Sequence, residues 1–66
     1  MEFLTKNFFM KQITKPAENK MYSFDSRWVT KQDAAKIARE KNGVKHAYYT
    51  KIKEKGNQYW DVRTEN

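Results

Sequence analysis

Sixty-six residues make one small domain, a size that buries only about 60% of the surface its unfolded chain exposes. With no cysteine and a single histidine, disulfides, thiolate metal sites and the common zinc ligand sets are excluded, and no metal or cofactor is expected. Fourteen Lys and Arg against eight Asp and Glu give a net charge of +6 and a pI near 9.7, which suits an anionic partner such as nucleic acid or an acidic protein surface.

The first twelve residues, MEFLTKNFFMKQ, lack the basic start, long apolar stretch and small-residue cleavage site of a secretory signal. No run approaches the ~18 apolar residues of a membrane span, so a soluble, cytoplasmic protein with no membrane partner is expected. Phe8 to Thr14 reads as a first strand, although Phe3, Leu4 and Phe8 also fit a short helix. Residues 1–7 are then an arm or an edge-covering segment. Phe3, Leu4, Phe8, Phe9 and Met10 are together too apolar to be left in water, and an interface such as a homodimer contact would cover them.

Lys15-Pro16-Ala17-Glu18-Asn19 is a turn, with Pro16 fixing φ and removing a donor. It is expected to join the first strand to a second in a hairpin. Met21 to Val29 alternates as that second strand, with Tyr22, Phe24 and Trp28 on one face and Ser23, Asp25 and Arg27 on the other. A helix follows from Lys31 to Asn42. Thr30 is a good N-cap, and Asp33 suits the third helical position and the positive end of the dipole. Ala34, Ile37 and Ala38 form its apolar stripe, widened by Ala35 and the stem of Lys41. Gly43 is placed for a left-handed stop, with Val44 as its hydrophobic contact.

The stretch His46 to Thr64 is a second hairpin around Gly56. A three-residue loop gathers Tyr48, Thr50, Ile52, Trp60 and Val62 on one face. A two-residue turn at Lys55-Gly56 puts Lys51 opposite Trp60 and scatters the apolar residues. Because register follows the buried face, the three-residue loop is expected. The order is β-β-α-β-β, a two-layer α+β fold with one helix packed on an antiparallel sheet. Its core is expected to join Tyr22, Phe24, Trp28, Tyr48, Ile52, Trp60 and Val62 to Ala34, Ile37 and Ala38.

One helix leaves the far sheet face open. On that face the expected register places Tyr49, Lys51, Lys53, Tyr59 and Arg63, with Arg27 and Lys55 extending the track. Cations along a backbone and aromatic planes under bases are how single-stranded nucleic acid is held. Tyr and Lys across a strand pair are equally what a plain solvated strand contains, and no RNP-type, KH-type or zinc-knuckle motif sharpens the choice. A winged-helix reading, with Gln32, Lys36 and Arg39 facing bases, needs a helix where residues 20–29 alternate as a strand. Catalysis finds little footing: His46 is the one imidazole, Ser23 and Ser26 have no evident base, and two glycines make no phosphate loop.

The expected function is therefore non-enzymatic nucleic-acid binding, single-stranded by preference, through Arg27, Tyr49, Lys51, Lys53, Lys55, Tyr59 and Arg63. The alternative is a small inhibitor or adaptor that docks on an acidic surface of a larger host or viral protein. In size and make-up the chain resembles in kind the short accessory proteins of phages and mobile elements.

Overall fold

A computed structural model describes residues 13–66. They form β1 (Tyr22–Trp28), α1 (Lys31–Asn42), β2 (Ala47–Glu54) and β3 (Asn57–Glu65). The sheet order is β1-β3-β2, with β3 antiparallel to both neighbours. The helix packs on one side of this sheet, giving the expected α+β domain with one helix on an antiparallel sheet.

The expected strand over Phe8–Thr14 falls mostly outside the described residues, as do residues 1–7 and Phe9 and Met10. Its described end corrects the expected first hairpin. The carbonyl of Ile13 accepts from the Tyr49 N–H at 3.3 Å, so the chain lies beside β2 there and crosses to β1 afterwards. The crossing uses the Glu18–Asn19 turn, in which Asn19 takes a φ of 67°, a conformation Asn tolerates better than most residues.

The helix forms for the reasons its sequence suggests. Thr30 is extended, at φ −110° and ψ 152°, and its hydroxyl accepts from the Asp33 N–H at 3.2 Å. That satisfies one of the four otherwise unpaired N–H groups of the first turn. Ala34, Ala35 and Ala38 are buried and let the helix lie close to the sheet. The C-terminus differs from expectation. Gly43 stays right-handed at φ −70° and ψ −16°, and Val44 is 86% exposed, so no Schellman contact is made. The helix instead unwinds through tight turns, Val44 N–H to Lys41 O at 2.9 Å and Lys45 N–H to the same oxygen at 3.1 Å. Asn42 Oδ1 then accepts from the Ala47 N–H at 3.0 Å and starts β2.

The second hairpin also corrects the expected register. Lys55 and Gly56 both have positive φ, 52° and 83°, and Glu54 pairs directly with Asn57. This is the two-residue type I′ turn, whose own twist matches the right-handed twist of the strands it joins. Tyr49 therefore opposes Val62, and Lys51 opposes Trp60. In β1 the register shifts between Phe24 and Ser26, leaving Asp25 as the extra residue of a bulge. The bulge puts Phe24 and Trp28 on opposite sides of the sheet, where strict alternation puts them together.

The core is small as a result. Tyr49, Val62, Ala34, Ala35 and Ala38 are buried together, with Trp28, Ile37 and Trp60 packed around them. Tyr22, Phe24, Tyr48 and Ile52 are not part of it; they lie on the side away from the helix, where Phe24 is 53% exposed.

The turn gives a direct test. A Cβ at Gly56 meets nothing within 4 Å, so Gly56→Ala pays only the left-handed backbone cost, about 1 kcal/mol. Lys55→Asn places a residue suited to positive φ in the same turn and is expected to add about 0.5 kcal/mol. Urea unfolding of both variants measures this; equal stability in all three proteins contradicts the two-residue turn.

Candidate functional site

The two sides of the sheet differ in how their charges are paired. On the side away from the helix, Arg27 of β1 stands opposite Asp61 of β3. Its Nε donates to Asp61 Oδ1 at 2.7 Å and its Nη2 to Oδ2 at 3.1 Å, while Nη1 also bonds Glu54. The paired bonds are the strong, planar form of the Arg–carboxylate contact. They allow Asp61 to be only 5% exposed. Asp61 first, and Glu54 after it, raise the pKa of the guanidinium above its already high value. The guanidinium also lies 5.2 Å from the Tyr59 ring and 6.0 Å from Phe24, within cation–π range.

The far end of the same side is closed by polar ties. Tyr22 Oη accepts from the Ala17 N–H at 2.9 Å and meets His46 Nδ1 at 2.6 Å. Tyr22 also packs edge-on against Tyr48, with ring centroids 5.0 Å apart. Glu65 receives the His46 N–H at 3.2 Å and the Lys20 ammonium at 3.1 Å. The Lys20 bond leads the causes that lower the Glu65 pKa. Arg63, between Phe24 and Tyr48 in register, is the cation on this side that no carboxylate meets among the described residues.

The helix side is different at the hairpin end. One row across the sheet reads Trp28, Trp60, Lys51, and the next places Gln58 beside Lys53. Lys51 Nζ lies 5.9 Å from the Trp60 ring centroid, and Lys31 Nζ, from the first turn of α1, lies 6.0 Å from the same ring. Lys55 stands in the adjoining turn. Among the described residues no carboxylate forms an ion pair with Lys31, Lys51, Lys53 or Lys55. All four are exposed, and Trp60 is half-buried.

The structure thus divides the residues singled out from sequence. Arg27, Tyr59 and Arg63 share the side away from the helix. Lys51 and Lys53 lie on the helix side, and Lys55 is at the tip. Tyr49 is corrected outright: it is fully buried against the helix, not open to a partner. Its ring lies 5.9 Å from Trp60. Sequence reading missed Lys31 and Trp60 as members of the cationic cluster. The signal was present, since the rejected two-residue turn is the register that sets Lys51 opposite Trp60.

No helix among the described residues is long and apolar enough to cross a membrane. Comparison with protein-family models, curated proteins and solved structures finds no match.

Burial has a pH consequence at Tyr49. Loss of solvent raises its pKa, opposed by the charge of Arg39. The folded state therefore favours the neutral phenol. That contribution to stability is intact below the unfolded value of about 10 and is lost as pH rises beyond it. Stability is expected to fall above about pH 10, with a shallower fall in Tyr49→Phe; identical alkaline slopes contradict the burial. Tyr49→Ala should cost about 3–5 kcal/mol by leaving a core cavity, measured by urea unfolding.

Proposed function

We propose that this domain binds nucleic acid without catalysis, through the strip formed by Lys31, Lys51, Lys53 and Lys55 around Trp60. The observation that carries this reading is the separation of charge between the two sides of the sheet. Arg27 is held by Asp61 and Glu54, whereas the four lysines of the strip meet no acid among the described residues. Clustered, unpaired ammonium groups are what neutralises phosphate and releases its counterions. The interface expected on the open sheet face moves, in this reading, to the opposite side of the same hairpin.

A second reading, an adaptor or inhibitor docking on an acidic surface of a larger protein, has its own support. Met21, Phe24 and Val29 are exposed on or beside β1, and phosphate binding gives no use for them. Exposed apolar side chains of this kind belong to protein interfaces more than to nucleic-acid ones.

Salt titration separates the two. Anisotropy of labelled oligonucleotides should show affinity falling linearly in log–log form, by about 0.7 per neutralised phosphate for single strands and 0.9 for duplex. Lys51→Glu/Lys53→Glu should abolish this binding and leave the thermal midpoint unchanged, because both side chains are exposed. Arg63→Glu, on the other side, should leave binding nearly intact. No detectable binding at low salt removes this reading and favours the protein partner.

A further inference from the structure

We infer that the strip selects single-stranded nucleic acid, DNA or RNA, by stacking a base on the Trp60 indole while Lys31, Lys51 and Lys53 take the flanking phosphates. This rests on the strip being the nucleic-acid surface.

Three observations point to a single strand. The ring is approached by two ammonium groups from different elements, at 5.9 Å from β2 and 6.0 Å from α1. Neither lysine is tied to a carboxylate among the described residues. Both can swing from the ring to a phosphate without breaking an ion pair, which frees the indole for a base. An ammonium and a base compete for the same π surface, and stacking is the stronger contact once phosphate holds the charge.

Second, Lys51 and Lys53 lie on one side of one strand. Two strand residues advance about 7 Å, comparable with the step between successive phosphates on an extended single strand. Lys51, Lys53 and the turn residue Lys55 form a line along β2, so a strand can track the edge while one base turns onto Trp60. Third, α1 is poorly suited to a duplex groove. Its outward side carries exposed Asp33 and Glu40 among Gln32 and Lys36, and those carboxylates repel the phosphates lining a groove. Bases inside a duplex also present no free face to an indole.

Trp28 provides an internal control. Its Nε1 donates to Ser26 Oγ at 2.7 Å, so it is engaged on its own strand, and Trp28→Phe leaves Trp60 as the sole indole. In that variant, oligo(dT) and oligo(U) should quench the remaining fluorescence, and a duplex of the same strand length should not. Preference between oligo(dT) and oligo(U) tells which sugar the strip favours. Trp60→Leu should weaken single-strand binding about ten-fold with an unchanged salt slope, and leave duplex binding as it was.

Single strands and duplex bound equally, with no quenching, overturn the stacking inference and leave the lysine strip standing. Binding of neither form overturns both. If Trp60→Leu fails to fold, the quenching readout in Trp28→Phe decides alone.

Discussion

Between Glu54 and Asn57 the chain reverses through two residues, Lys55 and Gly56, that both hold positive φ. Side chains alternate between the sides of a strand, so adding one residue to that turn moves every side chain of β2 relative to β3. The turn therefore decides that Tyr49 meets Val62 beneath the helix and that Lys51 meets Trp60. It decides equally that Tyr48 and Ile52 face away. Core, cationic strip and open side all follow from this reversal, and the bulge at Asp25 fits β1 to the result.

The helix was legible in the sequence because its signals are local. Thr30, Asp33 and the alanines act within a turn or two of themselves, and the helix spans the residues they mark. The sheet sides were not legible, because they depend on register. Counting apolar residues favoured a face built from Tyr48, Ile52, Trp60 and Val62. The alanine-lined helix sits too close for that logic. Two of the residues it buries in the sheet are Ala47, the smallest side chain available, and Tyr49, which has a polar end. Alternation in residues 21–29 misled for a related reason, since a bulge resets the period and leaves no composition signature at Asp25. Gly43 suits a left-handed stop, but the Asn42 side chain and the turns onto Lys41 end the helix without one.

Charge followed the same division. Lysine and arginine carry the same charge, yet they act differently here. Arg27 is planar and forked, and it satisfies Asp61 in a two-bond contact while also reaching Glu54. That keeps a nearly buried carboxylate from being left uncompensated, a costly state. The lysines of the strip remain solvated, and two of them, Lys31 and Lys51, lie over the Trp60 ring. The net charge of +6 is therefore expressed unevenly, and the side bearing most of the tyrosines is the more nearly neutral one.

The strand order has a kinetic side. β2 and β3 are neighbours along the chain and can zip from their turn, and α1 needs only its own residues to begin. β1 has neither advantage. Its partner is β3, and the Arg27–Asp61 contact joins residues 34 apart. The chain must close a loop containing the helix and β2 before β1 gains a ladder bond. While the polypeptide is being synthesised, β1, carrying Phe24 and Trp28, emerges before β3, its partner among the described residues. The stretch that waits longest for its neighbour is thus among the most aromatic, and its charged Asp25 and Arg27 are the residues that keep such an edge from pairing with other chains in the interval.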